Sequence, residues 1–381
     1  MRILILTQPL RTNYGGLLQA FALQKKIKEL GYDVVTNNSP FKERRLSFKI
    51  VYIIYRTLRG GIFRNKHYLP IIPNFLTKSK YKYIAQNTDH FIKNNINTTD
   101  FFSGKNQPTK TEINKYDVFI VGSDQVWRKR YSNLHNYFLG FLNKNTNSLK
   151  IAYAASFGTD NLAEYSKNDK RKCAKLAQLF DRISVREDSA LKICKDQFCI
   201  NAEQVLDPTL LLEKKEYLEI IKEEPERNDN TLLCYILDKT NEKQVIIEEI
   251  SNKLALTSVN NMPIETFNGK KEQNISNCIF PSVSKWLAGF RDANFVVTDS
   301  FHGTVFAIIF NKPFISIGNK KRGITRFTSL LKIFDLEYRL ISTEEQLSDK
   351  HFQKIDYTKV NTLKTQWQNK SIQFLLSNLN K

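Results

Sequence analysis

The sequence predicts an α/β protein of two Rossmann-like, doubly wound domains. Two observations carry this. Short apolar, β-branched runs alternate along the chain with segments of helical periodicity, the pattern of parallel sheets. The chain has 381 residues, about twice a typical domain, and each half is long enough to bury its own core.

The first unit opens the chain. Arg2 to Thr7 reads as a strand, Gln8 to Gly16 as a turn holding Thr12-Asn13-Tyr14-Gly15-Gly16, Leu17 to Leu30 as a helix capped by Gly31, and Asp33 to Thr36 as the next strand. The glycine pair stands where ligands bind in open α/β sheets, at a strand's carboxyl end. It is neither GxGxxG nor a P-loop. Asn13 and Gln19 suit sugar hydroxyls; Gly15 and Gly16 also fit plain helix–sheet packing.

Residues 41–96 differ in character. From Lys42 to Lys82 there are eleven Lys or Arg and one acid, Glu43. Aromatic and β-branched residues are interleaved, which suits an anionic bilayer interface. A solvated basic flap over the site is the competing reading. A nucleic-acid groove is not expected, because no RRM, KH or helix-turn-helix pattern occurs.

Strands then recur, each ending in polar residues. Tyr116 to Val121 runs into Gly122-Ser123-Asp124-Gln125-Val126-Trp127, an indole fit to stack on a sugar or to fill the core. Ile151 to Phe157 closes at Gly158, Lys167 to Phe180 is a helix, and Arg182 to Arg186 is a strand. Arg186, at that strand's end, can pair a carboxylate or phosphate bidentately. Asp207-Pro208 in QVLDPTLLL breaks regular structure, and a charged patch from Lys214 to Asn230 follows.

Alternation then resumes. Strands are expected at Thr231–Leu237 and Thr257–Asn260, helices at Asn241–Leu256 and Ser282–Ala293. The stretch ANFVVTDSFHGTVFAIIFNKPFISIG, residues 293–318, is strand, polar turn, compact helix from Thr304, and strand again. Its one imidazole, His302, lies where strand gives way to helix, able to trade a proton near neutral pH. Basic Lys320, Lys321, Arg322 and Arg326 follow, then a helix from Thr325, a capping box at Ser342-Thr343-Glu344-Glu345, and a final helical tail from Thr358. The resulting partition is 1–205, 206–345 and a tail 346–381, with the basic insertion inside the first domain. Two such domains facing a cleft are the GT-B architecture.

The totals narrow the class. Lys and Arg number 58 against 38 Asp and Glu, a formal +20, which favours a polyanionic partner. A lysine-rich composition throughout is the plainer reading. The five cysteines include no CxxC pair, so reduced thiols are expected and a metal site is not. No secretory signal or spanning apolar run is read.

Four motifs now align: NYGGLLQAFAL at 13–23, VGSDQVW at 121–127, SVRE with LDPTLLL at 184–187 and 206–212, and TDSFHGTVFAIIFNKPFI at 298–315. Together they resemble the polysaccharide pyruvyl transferase family. The resemblance implies a GT-B-like enzyme of the cytoplasm, peripheral at the inner face of the membrane, with no cofactor. Its co-substrate would be phosphoenolpyruvate, and its acceptor a surface-polysaccharide sugar carried on a lipid or nucleotide. His302 matches the family's catalytic histidine and Arg186 a donor-binding arginine. Ser300, Gly303, Thr304, Arg322 and Arg326 complete the expected donor site. Asn13, Tyr14, Gly15, Gln19, Ser123, Asp124 and Gln125 make up the expected acceptor site. Many relatives carry arginine two residues before the histidine; here Ser300 stands there, so either another arginine substitutes or this branch has altered its donor. A GT-B glycosyltransferase using a nucleotide sugar is the alternative, and a non-catalytic carbohydrate- or lipid-binding protein a third reading.

Overall fold

The computed structural model describes residues 1–41, 43, 75–102, 107–142, 147–227, 229–269, 273–318, 323–343 and 347–379. Two all-parallel sheets organise them. The first contains β1 (Arg2–Leu6), β2 (Asp33–Asn37), β3 (Thr98–Thr99), β4 (Val118–Val121), β5 (Leu149–Ala155), β6 (Arg182–Val185) and β7 (Glu203–Gln204), in the order β3-β2-β1-β4-β5-β6-β7. The second contains β8 (Thr231–Tyr235), β9 (Thr257–Val259), β10 (Phe295–Thr298), β11 (Phe314–Ile317) and β12 (Leu340–Ile341), in the order β12-β11-β10-β8-β9. This is the expected GT-B-like pair of Rossmann-like sheets.

The central strands β4, β10 and β11 are buried along their whole length, because helices cover both faces. Alternating residues of β1 feed opposite faces. Leu4 and Leu6 join Phe119, Val121 and Trp127, while Ile3 and Ile5 join Val118, Ile120 and Tyr153. Strand order reverses between β1 and β4 in one sheet and between β8 and β10 in the other. Ligand-binding crevices form at such switch points, so the loops after β1, β4 and β10 are placed to meet a ligand.

Three expectations need correcting. The first helix begins at Tyr14, not Leu17, so Gly15 and Gly16 lie inside its first turn. The His302 helix begins at Phe301, not Thr304. In both cases the polar residue, Asn13 or Ser300, is the extended N-cap, and the three residues after it, read as turn, form the first turn of the helix. The third correction concerns the basic insertion. Residues 42 and 44–74 lie outside the described residues, but helices Lys78–Ile84 and Gln86–Asn95 belong to the fold. Phe91, Ile92 and Ile96 enter a core shared with the first helix and the second half, and Asn87 Nδ2 donates to Phe280 O at 2.8 Å.

The halves share apolar packing. Tyr14 stacks on Trp286 at 5.1 Å and donates its hydroxyl to Pro281 O at 2.8 Å. The final helix, Tyr357–Leu379, returns to the first sheet, where Phe374, Leu375 and Leu379 cover Ile3, Ile5 and Val118. Glu344 and Glu345 of the expected capping box lie outside the described residues. All five cysteines are free. Among the described residues, no helix is long and apolar enough to cross a membrane, and no cluster of His, Cys, Asp and Glu could hold a metal.

Candidate active site

The site is built from strand ends of both sheets. β10 stops at Thr298, and the next residue, Asp299, ties the crevice together from behind. Its carboxylate accepts from Leu237 N at 2.7 Å, Asp238 N at 3.1 Å and Lys243 Nζ at 2.6 Å, so β8 and β10 end in a fixed relation. Ser300 caps the following helix by accepting from Gly303 N at 3.3 Å. His302 is thereby held in the first turn, 6% exposed. Opposite stands the first turn of the Tyr14–Glu29 helix. A Cβ at Gly15 would lie 2.1 Å from His302 Nδ1, so the imidazole occupies space that any side chain there would take.

Acidic and cationic groups from the first sheet close around the imidazole. Asp207 follows β7 and is fully buried. Its Oδ2 lies 3.6 Å from His302 Nε2 and 2.7 Å from Arg186 Nη1. Burial pushes the Asp207 carboxyl up, but His302, Arg186 and Thr209 outweigh it and hold it below the usual carboxylate range. Arg186 directly follows β6 and stands 3.5 Å from Asp124 Oδ1 through Nη2. Burial works against its charge; Asp207, Glu187 and Asp124 prevail and raise its pKa. Its Nε and Nη2 are buried without a hydrogen-bond partner among the described residues.

A second guanidinium completes the cluster. Arg186 lies 4.3 Å and Arg326 5.7 Å from the centre of the Phe301 ring. Burial, with Arg186 nearby, pushes Arg326 down to about 10, which leaves it charged at neutral pH. The loop before Arg326 meets the loop after β5 at two glycines; a Cβ on Gly323 would fall 1.7 Å from Gly158 O. Glu187 is buried beside both arginines and accepts from Ser156 Oγ. Burial raises its pKa, and Arg186, Ser156 and Arg326 only partly counter this. Chemically, the cluster offers one imidazole for proton transfer and two guanidinia for an anion, in a setting nearly closed to water.

The sequence profile described as polysaccharide pyruvyl transferase matches residues 13–321, which spans every group just named except Gly323 and Arg326. The chain belongs to the polysaccharide pyruvyl transferase family. No curated protein matches this member. Among solved structures it is similar to UDP-GlcNAc 2-epimerase from Neisseria meningitidis bound to UDP-GlcNAc, at 13% identity over 99% of this chain and 100% of that one, TM-score 0.49. It is also similar to UDP-GlcNAc 2-epimerase from Methanocaldococcus jannaschii, at 12% identity over 95% of this chain and 91% of that one, TM-score 0.46.

The residues expected to serve this pyruvyl transferase family member fall into three groups. His302, Arg186, Arg326, Asp124, Ser123 and Gly15 converge. Ser123 is fully buried, with Oγ donating to Ala154 O at 3.0 Å and 3.4 Å from Asp207 Oδ2. Asn13 is exposed at the start of the first helix and makes no capping bond. Gln125 is half-buried and accepts from Arg128 Nη1 at 2.9 Å.

A second group has its polar atoms committed internally. Gln19 donates to Thr7 Oγ1 at 2.9 Å and accepts from Ser123 N at 3.1 Å. Tyr14 is fully buried between the halves. Thr304 Oγ1 pairs with Ser316 Oγ at 2.6 Å. Gly303 leaves room not for a ligand but for its own strand: a Cβ would lie 2.2 Å from Thr298 Oγ1. Ser300 is a cap, and Trp127 is core, stacked on Phe138 at 4.8 Å.

Lys320, Lys321 and Arg322 form the third group and lie outside the described residues. Sequence reasoning missed Asp207 and Glu187, having read one as a chain stop and the other as a helix start. The available signal was position: each directly follows or neighbours a strand end inside a motif already singled out.

Proposed function

We propose that the protein transfers the pyruvyl group of phosphoenolpyruvate onto two hydroxyls of a surface-polysaccharide sugar, as a ketal, with release of phosphate. What supports the reading most is a single feature of a chain in this family: two buried guanidinia on one aromatic ring beside the His302 imidazole. Buried donors without a hydrogen bond are costly, and Nε of Arg186, with Nη2 held only by the 3.5 Å ion pair to Asp124, would be met by a carboxylate or phosphate of the donor. Arg326 supplies the cation that Ser300 does not.

In the proposed chemistry His302 protonates the methylene of phosphoenolpyruvate, which becomes a methyl group. The C2 carbon turns electrophilic, and a sugar hydroxyl adds to it and gives up its proton. The C2–O bond to phosphate then breaks, and the second hydroxyl adds, again losing a proton. One proton has been taken and two released, and the extra one leaves on phosphate. Proton transfer by a positioned side chain contributes on the order of 10²–10⁴-fold. On this reading residues 1–205 receive the acceptor through Asn13, Asp124 and Gln125, and residues 206–345 carry the catalytic histidine.

The acceptor is carried on a lipid or nucleotide, and the protein works in the cytoplasm at the inner face of the membrane, touching anionic lipid through the basic stretch within 41–96. Vesicle pelleting tests that last part. A salt-sensitive preference for anionic vesicles is expected, and its absence removes the membrane contact. The reaction is tested first by binding. Calorimetry and thermal shift are measured with phosphoenolpyruvate, UDP, CMP and GDP. Phosphoenolpyruvate should stabilise the wild type and bind at least about tenfold more weakly to Arg326→Gln, the scale of one lost charge-assisted contact. Stabilisation by a nucleotide alone would replace this reading with nucleotide-sugar transfer.

A further inference from the structure

Asp207 has no role in the chemistry above, yet its two oxygens are divided between different tasks. Oδ1 is used locally: as the cap of the short helix Pro208–Leu211 it accepts from Thr209 N at 3.1 Å and Thr209 Oγ1 at 2.7 Å. These two donors fix the rotation of the carboxylate. Oδ2 is thereby aimed away from its own segment, at Arg186 Nη1 2.7 Å away and at His302 Nε2 3.6 Å away. The carboxylate is fully buried, so water does not compete for it. His302 Nε2 is likewise buried, and it makes no hydrogen bond at this distance.

The other ring nitrogen faces a different environment. Nδ1 lies beside Gly15, in the first turn of the Tyr14–Glu29 helix, where Asn13 offers the amides no side-chain bond. Unpaired amides at a helix start favour a lone pair or an anion over another N–H. A neutral imidazole carries one proton, and the partner of one nitrogen decides the state of the other. Both neighbourhoods select the same form.

We infer that Asp207 is a positioning residue for His302: the charge on its Oδ2, 3.6 Å away, favours the proton on Nε2, and Nδ1 is the nitrogen that exchanges a proton with substrate. This rests on His302 being the proton donor of the proposed reaction, but its structural half does not. The charged groups around the pair are Arg186 and Glu187 at the end of β6, Asp124 after β4, and Arg326 from the helix Thr325–Ile333. Arg186, held by Asp207 and near Asp124, keeps the carboxylate from rotating toward the ring's edge.

The test is nitrogen-15 NMR of histidine-labelled full-length protein, with the His302 signals identified by their loss in His302→Gln. In the wild type at mildly alkaline pH the pattern should be that of the Nε2–H form. A predominant Nδ1–H form overturns the inference without any variant being needed. In Asp207→Asn the side-chain oxygen stays with the two Thr209 donors, so the amide nitrogen turns its hydrogens toward His302. The Nδ1–H form should then prevail, and turnover should fall by roughly 10²–10⁴-fold, the scale of a lost acid–base step, in protein whose circular dichroism is unchanged. A folded Asp207→Asn with wild-type turnover also overturns the positioning role. Failure of the pyruvyl reading is distinguishable, since the NMR pattern requires no reaction.

Discussion

Two strand-to-helix turns, one after β1 and one after β10, obey the same local rules and do opposite things. Each follows a fully paired parallel strand, and each starts a helix with glycine in the first turn. The turn after β10 is self-contained: Ser300 caps it, Gly303 packs on Thr298, and it presents His302. The turn after β1 has an N-cap, Asn13, without a side-chain bond, and it presents an absence, the missing side chain of Gly15 that the imidazole fills. One turn delivers a group and the other delivers the space for it. A glycine can thus be as much a part of a site as the residue that carries the chemistry.

The comparison breaks most severely if His302 is removed. His302→Ala should lower turnover on the order of 10²–10⁴-fold while melting cooperatively, and a folded variant with substantial ketal formation would end the catalytic role. Next comes the glycine pair. Gly15→Ala must displace the His302 ring, and overpacking of this kind costs about 1–3 kcal/mol, so both Tm and turnover should fall. Gly16→Ala places its Cβ 3.2 Å from the movable Asn13 amide, and alanine is favoured over glycine in a helix by up to about 1 kcal/mol. It should keep turnover and hold or raise Tm. Equal behaviour of the two variants would erase the distinction drawn between the turns.

Smaller effects sharpen it further. Ser300→Ala removes a helix cap, worth about 1 kcal/mol, so denaturant titration should show that loss with little change in phosphoenolpyruvate affinity; a large loss of affinity would return Ser300 to the donor site. The smallest effect concerns Glu187. Its folded pKa is raised from 4.5, chiefly by burial, so the folded state favours the protonated form. The associated stability is present below the unfolded pKa and is lost as pH rises through the folded one. Glu187→Gln imitates the protonated group, and its Tm advantage over wild type should be largest near about pH 8 and shrink toward pH 4.5. An advantage that grows on acidification would reverse the sign of the burial argument.

Much of this was legible in the chain. The β-branched runs give the inner strands within a residue or two, and the last strand of the 293–318 stretch is β11. The short edge strands β3, β7 and β12, of two residues each, carry no periodicity to read. His302 and Arg186 stood out because strand ends in parallel sheets carry chemistry. Tyr14 and Gln19 stood out for the same reason and proved to be committed to packing and to Ser123, which no local pattern encodes.

What the sequence by itself determined is the succession of strands and helices and the polar residues at strand ends, because backbone propensity and hydrophobic periodicity act over neighbouring residues. Only the tertiary structure decided which of those residues meet. Gly15, Asp124, Arg186, Asp207 and His302 follow separate strands of both sheets, Arg326 comes from the helix Thr325–Ile333, and burial joins them by excluding the water that would otherwise satisfy each alone. Asp207 is the clearest case: in the chain it is an aspartate before a proline, and only the packing of two sheets turns its second oxygen toward an arginine and a histidine.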